Sequence, residues 1–302
     1  MMNFTKMQAA GNDFILAEAG DMQCDWSPVA KAICDRHFGV GADGLLLVSP
    51  SVMADFGMRV FNPDGSEADT CGNGLRCLAK YVVDMGLANA KACQILVETK
   101  SGVREVKLHY EAKFEGENTK GSEVVRIQVA MGKPKLEAKD IPVAIEPGKG
   151  NLVNIKSILS YSFIVEGMEL LLNLVSMGNP HAIYFWQHPV SDFPLSQLGP
   201  KIEQLKLFPY GVNFEVARVM SRRQIAARVW ERGVGETLAC GSGACAIAVA
   251  AQLHGYIDNK VDIKLPGGIL EVEWDGVGEV LLDGPAETVF TGEWLEGGRL
   301  SG

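Results

Sequence analysis

The 302-residue chain contains no stretch approaching the roughly 18 consecutive apolar residues a membrane-spanning helix needs, so no membrane partner is expected. Its first residues, Met1-Met2-Asn3-Phe4-Thr5-Lys6, lack the charged-then-apolar layout of a secretory leader, and the expected location is the cytoplasm. Positive charge is in short supply. The 28 Lys and Arg stand against 37 Asp and Glu, for a formal charge of −9, and no basic block exists to follow a phosphate backbone, which argues against nucleic acid as a partner. A Gly-rich dinucleotide fingerprint, a phosphate-binding loop, a Cys-x-x-Cys pair, heptads and low-complexity tracts are all missing. What is present is a composition of 47% hydrophobic and 22% charged residues, in a chain long enough for two domains with a core each.

Seven cysteines in a chain without an export signal are expected to be reduced thiols, each needing its own reason. Cys24, Cys34 and Cys93 sit in no motif and are expected to be small buried hydrophobes. Cys77 and Cys245 fall within helical patterns, where packing explains them. The spacings Cys71-x5-Cys77 and Cys240-x4-Cys245 suit zinc poorly, so no metal is expected.

The remaining two cysteines lie in an internal repeat. One copy reads Asn62-Pro-Asp-Gly-Ser-Glu67-Ala-Asp-Thr-Cys71-Gly-Asn-Gly74 and the other Glu231-Arg-Gly-Val-Gly-Glu236-Thr-Leu-Ala-Cys240-Gly-Ser-Gly243, sharing Glu-x-x-x-Cys-Gly-x-Gly. Upstream, Asn12 of Gly11-Asn12-Asp13 and Asn179 of Gly178-Asn179-Pro180 precede their cysteines by 59 and 61 residues. Matched order and spacing imply two homologous halves. In each, a helix follows the cysteine. Leu75, Leu78, Ala79, Val82 and Val83 recur at helical spacing, while 244–253 is apolar nearly all round and must be central in its domain. Strands predicted over 94–99, 103–110, 124–129, 161–165, 182–186, 212–219 and 269–274 would wrap these helices. The polar, aperiodic stretch 111–122 is predicted to be an exposed loop, and the domain boundary is placed just after it: 1–123, joined by a C-terminal strand in 287–302, and 124–286.

A cysteine immediately before a helix places its sulfur near unpartnered N–H groups and the positive end of the helix dipole, which favours thiolate and is expected to lower the thiol pKa. The glycines allow a tight turn, and the exposed amides can hold a carboxylate. Two such thiols on opposite walls of an interdomain cleft suit one reaction, removal of a proton from one face of a carbon and delivery from the other. The α-proton of an amino acid is a very weak acid, so the site must also stabilise charge growing on the carboxylate. Two helix N-termini would do so without pyridoxal phosphate, and no cofactor is expected.

The segments Gly11-Asn12-Asp13-Phe14, Cys34-Asp35-Arg36, Gly39-Val40-Gly41-Ala42-Asp43-Gly44, Phe61 to Glu67, Cys71-Gly-Asn-Gly, Met177-Gly-Asn-Pro-His181, Glu231 to Thr237 and Pro266-Gly-Gly268 resemble the signature set of the diaminopimelate epimerase family, from residue 4 to about residue 293. The resemblance implies an α+β fold of two pseudo-symmetric domains, each a rolled, mostly antiparallel sheet around a central helix, with the active site in the cleft between them. It implies cofactor-independent conversion of LL- to meso-diaminopimelate, in lysine and peptidoglycan-precursor biosynthesis, by a homodimer acting on this small amino acid. By the same resemblance Cys71 and Cys240 are the acid/base pair. Gly72, Asn73, Gly241 and Ser242 hold the reacting carboxylate, and Asn12, Asn62, Asn179, Asn213, Glu231 and Arg232 bind the rest of the substrate. Arg232 suits the distal carboxylate and Glu231 an ammonium, while His181 and Glu231 tune the thiols. For Glu67 and Glu236, turn support and support of the site both stay open. The sequence departs from the family at Ala9, where glycine is usual, and at Gly44, which offers no side chain to substrate.

Proline racemases and hydroxyproline epimerases use two cysteines on the same scaffold, but their substrate has no second amino-acid head to occupy Asn62, Asn179, Asn213 and Arg232. A thiol-disulfide protein would want low-pKa cysteines but usually a Cys-x-x-Cys. A non-catalytic binding module would leave two thiols in register without a purpose.

Overall fold

A computed structural model describes residues 1–19, 24–68, 71–89, 93–115, 118–144, 151–155 and 158–295, with side chains outside the description at 112–115, 118–123 and 151–155. The chain divides into two units, Met1–Val129 with Gly284–Gly302, and Ala130–Asp283.

In the first unit the order is β1 (Met2–Ala9), β2 (Asn12–Glu18), α1 (Ser27–Cys34), β3 (Gly44–Ser49), β4 (Phe56–Phe61), β5 (Glu67–Ala68), α2 (Gly72–Asp84), β6 (Gln94–Thr99), β7 (Gly102–Glu115) and β8 (Asn118–Ala130). The second holds β9 (Asn151–Ile155), β10 (Ile158–Val165), β11 (Met168–Ser176), β12 (Pro180–Phe185), α3 (Leu195–Glu203), β13 (Asn213–Ser221), β14 (Gln224–Glu231), β15 (Gly235–Thr237), α4 (Gly241–Leu253), β16 (Lys260–Leu265), β17 (Gly268–Glu273) and β18 (Leu281–Gly284), and the chain ends on β19 (Glu287–Trp294).

The duplication read from the cysteine motifs extends through the pairing. Antiparallel β1–β2, parallel β2–β3, antiparallel β3–β4 and β4–β5, parallel β4–β6 and antiparallel β6–β7 recur in the same order as β11–β12, β12–β13, β13–β14, β14–β15, β14–β16 and β16–β17. Each parallel pair is bridged by a helix, β2–β3 by α1, β4–β6 by α2, β12–β13 by α3 and β14–β16 by α4, as parallel strands require a crossover. β19 closes the first unit by pairing with β1. The predicted α+β class therefore holds, with rolled, mostly antiparallel sheets and α2 and α4 packed inside them, α2 against β1–β4, β7 and β19, and α4 against β11–β13, β16 and β17.

Residue parity decides which way each sheet residue faces. In β3, Leu45 and Leu47 join Ile15, Ala30 and Ile33 under α1, leaving Leu46 for the α2 side. In β13, Phe214 and Val216 pack with Leu195, Leu198 and Ile202 of α3, leaving Asn213 and Glu215 for α4. These strands are buried on both faces. Ala244, Ala246, Ala248, Ala250 and Ala251 are buried around α4, combining high helix propensity with side chains small enough for strands to close on every side.

Two expectations fail here. The stretch predicted as a loop over 111–122 is strand on either side of 116–117, which lie outside the described residues; Glu111 pairs with Glu123 and Glu115 with Asn118. Backbone pairing along a long hairpin needs no apolar alternation, so polar composition misled the reading. Of the three cysteines expected to be buried, only Cys34 is, and Cys24 and Cys93 are exposed. Among the described residues no helix is long and apolar enough to cross a membrane.

Candidate active site

Cys71 and Cys240 occupy the same place in their units, as N-caps of α2 and α4, in extended backbone at φ −136°, ψ 112° and φ −124°, ψ 116°. Cys71 Sγ accepts the Gly74 N–H at 3.3 Å, satisfying one of the amides a helix start leaves open. The glycine two residues after Gly72 or Gly241 is set by the sheet beneath. A Cβ on Gly74 would stand 3.1 Å from Leu46 Cδ2, and one on Gly243 only 2.8 Å from Glu215 Oε1.

Around Cys71 the polar groups form one chain. Asn73 Nδ2 donates to Asn12 Oδ1 at 3.0 Å, Asn12 Nδ2 to Asp43 Oδ2 at 2.8 Å, and the buried Arg76 reaches Asn73 Oδ1 at 2.6 Å and the Pro285 carbonyl at 3.3 Å. Asp43 in turn shares Arg36 with Asp13, each carboxylate 2.7 Å from Arg36 Nη2, and Lys6 also holds Asp13 at 2.5 Å. Burial opposes the Asp13 charge, but the hydrogen bonds from Arg36 and Lys6 outweigh it and bring its pKa down to about 2. Asn62 lies apart from this chain, exposed in the turn after β4, with its Nδ2 on Ser66 Oγ at 2.9 Å.

Around Cys240 the counterpart of the Asn12–Asn73 contact is Asn179 Nδ2 on Ser242 Oγ at 3.4 Å, and Ser242 Oγ lies 3.5 Å from Cys240 Sγ. His181, fully buried, stands with Nε2 3.0 Å from Asn179 Oδ1 and Nδ1 2.6 Å from Glu215 Oε1. Glu231 lies near enough to Cys240 for the two to shift each other's titration and receives Thr237 Oγ1 at 2.5 Å. Both ends of the Asn213 carboxamide are engaged by backbone, Nδ2 with the Pro180 carbonyl and Oδ1 with the Arg232 N–H, each at 3.0 Å, so Asn213 ties two segments of the site together. The exposed Arg232 guanidinium donates to the Tyr210 carbonyl at 3.1 Å.

The thiol expected to be lowered by its helix dipole is not so at Cys240. Burial pushes this thiol well above its ordinary range, with the Glu231 and Glu215 carboxylates adding to the shift, and together they outweigh the Ser242 hydroxyl and the nearby Gly243 amide. Burial likewise raises Glu231, against the hydrogen bond from Thr237 and the nearby Cys240 thiol. Cys77 and Cys245 are completely buried, as packing residues should be.

Glu67 and Glu236 face matched arginines, Arg59 and Arg228, and so brace the turns that carry the cysteines. Sequence reasoning missed Glu215, Arg76 and Thr237. The signal for Glu215 is a lone carboxylate on an inward position of the apolar strand β13, and for Arg76 a lone cation between Leu75 and Cys77. Among the described residues, no group of three or more His, Cys, Asp and Glu is arranged to hold a metal ion.

Comparisons with known proteins agree over nearly the whole chain. The diaminopimelate epimerase family model matches residues 4–137 and 173–289. The chain is 44% identical to the diaminopimelate epimerase of Pelotomaculum thermopropionicum, covering 97% of this chain and 99% of that one, 43% identical to that of Acetivibrio thermocellus (97% and 98%), and 41% identical to that of Methanococcus maripaludis (97% and 99%). Among solved structures, a Bacillus anthracis phenazine biosynthesis protein of the PhzF family superposes with a TM-score of 0.68 at 18% identity, covering 97% of this chain and 99% of that one. A hydroxyproline epimerase from Agrobacterium vitis superposes at 0.66 and 12%, covering 96% and 91%. These two likenesses speak to the fold. Matched cysteine caps, the surrounding asparagines and more than 40% identity over almost the full length lead to one conclusion: the chain belongs to the diaminopimelate epimerase family.

Proposed function

We propose that this chain interconverts LL- and meso-2,6-diaminopimelate without a cofactor, with Cys71 and Cys240 as the acid/base pair. The observation that carries the reading is the paired placement of the two cysteines. Each caps a central helix at the same point of a duplicated fold, next to amides with no intrahelical partner. One sulfur takes the α-proton as thiolate while the other, as thiol, supplies a proton to the opposite face, and their roles exchange for the reverse reaction. Such acid/base assistance is worth about 10²–10⁴-fold per group.

Electrostatics supply the rest. The first-turn amides of Gly72, Asn73, Gly241 and Ser242 meet the carboxylate whose charge grows as the proton leaves, and such donors cost no reorganisation during reaction. Asn12, Asn62, Asn179 and Arg232 bind the remainder of the substrate, Arg232 as a fork for the distal carboxylate and Glu231 as partner to an ammonium. Asn213 contributes by fixing the Arg232 backbone. His181 and Glu231 tune Cys240. The enzyme acts in the cytoplasm as a homodimer in lysine and peptidoglycan-precursor biosynthesis.

The test is isotopic. Incubation with LL-diaminopimelate in deuterated water is expected to place deuterium at the α-carbon and to yield the meso isomer. Exchange into proline with none into diaminopimelate would contradict the proposal.

A further inference from the structure

The two halves match closely in fold yet differ sharply at one buried spot. His181 pairs with Asn213 where β12 meets β13, and Glu215 lies two residues on. In the first half Phe14 pairs with Gly44 where β2 meets β3, and Leu46 lies two residues on. The same two places beneath the cysteine helix thus hold Phe and Leu in one unit and His and Glu in the other. The fold does not require the polar pair, since Phe14 and Leu46 fill those places with both side chains buried. Burying two ionisable groups against each other costs desolvation, and apolar residues of like size commonly serve stability as well or better. A reason beyond packing is needed.

We propose that Glu215 is a positioning residue for the Cys240 half of the site, acting through His181 to fix the orientation of the Asn179 amide and, beyond it, of the Ser242 hydroxyl beside the Cys240 sulfur. This rests on the reading of Cys240 as a proton carrier. The contacts run without a break, Glu215 Oε1 to His181 Nδ1 at 2.6 Å, His181 Nε2 to Asn179 Oδ1 at 3.0 Å, Asn179 Nδ2 to Ser242 Oγ at 3.4 Å and Ser242 Oγ to Cys240 Sγ at 3.5 Å.

The direction of each bond follows from what the groups can give. Glu215 and His181 are both fully buried, and the ring nitrogens of His181 lie against a carboxylate oxygen and a carboxamide oxygen; in the proposed arrangement His181 carries a proton on each nitrogen, the form that donates to both. The Asn179 amide is thereby turned with its NH₂ toward Ser242. The Ser242 oxygen accepts that bond and its own proton is left for the sulfur, where it stabilises Cys240 whenever it is thiolate. Without the Glu215 carboxylate, one ring nitrogen loses its reason to carry a proton. If Nε2 becomes an acceptor the amide turns over, its oxygen faces Ser242, and the hydroxyl proton goes to Asn179 instead of Cys240. Glu215 Oε2 is buried without a hydrogen-bond partner among the described residues, an arrangement that stability alone would not favour.

The experiment combines a spectroscopic and a kinetic reading. Nitrogen-15 NMR of histidine-labelled wild-type protein is expected to show protons on both ring nitrogens of His181, and on only one in Glu215→Gln. The same isosteric variant is expected to lose about tenfold or more in kcat, the scale of a mispaired buried polar group. The double variant His181→Phe with Glu215→Leu installs the side chains that the first half already packs, guards against a folding failure of the single variant, and is expected to show a comparable loss. A singly protonated His181 in the wild type, or wild-type kcat in either variant, would overturn the proposal. The nitrogen measurement needs no turnover, so a wild-type protein without α-proton exchange would count against the epimerase reading and not against this assignment.

Discussion

Arg228 grips Glu236 with two parallel hydrogen bonds, at 2.8 and 3.0 Å, and Arg59 holds Glu67 in the same way, at 2.7 and 3.1 Å. The two pairs are counterparts in the duplicated fold, each tying the short strand before a cysteine to its neighbour.

The Arg228 side chain holds more than Glu236. Arg228 Nη1 also donates to the Val190 and Phe193 carbonyls, at 2.9 and 3.0 Å, and Arg59 also lies over the Phe61 ring, 4.8 Å from its centre. Arg228→Ala is expected to cost about 2–3 kcal/mol, because it removes the pair with Glu236 and also strips two carbonyls of a charged donor. Urea denaturation of the variant beside wild type checks this; a loss under about 1 kcal/mol would contradict it.

The glycines after the cysteines make a second contrast. Alanine at position 74 meets the movable end of Leu46 at 3.1 Å, and alanine at 243 meets Glu215 Oε1 at 2.8 Å, an oxygen pinned by His181. Helix propensity returns up to about 1 kcal/mol at either place. Gly74→Ala should therefore be nearly neutral in Tm, while Gly243→Ala lowers it. Adding Glu215→Leu to Gly243→Ala should recover much of the loss, as thermal unfolding of the single and double variants would show.

How much of this was legible in the sequence differs by layer. The repeat, the two cysteine caps and the all-apolar α4 can be read directly, since each is a local pattern. β3 cannot: Leu45-Leu46-Leu47-Val48 is buried on both faces, so it shows none of the alternation that marks a half-exposed strand. Glu111 to Ser122 fails in the opposite sense, a polar stretch held as a hairpin by backbone pairing. In the site, the asparagines are visible because they sit in motifs. The roles of Glu215 and Arg76 depend on what lies across the sheet or under the helix, and the position of Cys240 on the pH scale depends on burial and two carboxylates that no spacing reveals.

Because burial, Glu231 and Glu215 hold the Cys240 thiol well above its ordinary range, its alkylation by iodoacetamide in the resting enzyme should be slow at neutral pH and climb into the alkaline range. Glu231→Gln removes one of the nearby negative charges and should move the midpoint to lower pH. Peptide mass spectrometry across a pH series gives the midpoint directly, and an unchanged midpoint in the variant would remove Glu231 from the tuning of this thiol.

The central claim is that two thiols share the chemistry, and Cys71→Ala and Cys240→Ala test it most directly. Each variant keeps the amides and side chains assigned to binding but lacks the proton carrier for one face of the α-carbon. Conversion of LL- to meso-diaminopimelate should fall by at least about 10²–10⁴-fold in both, measured against wild type under saturating substrate. Turnover near the wild-type rate by either alanine variant would contradict the two-cysteine account.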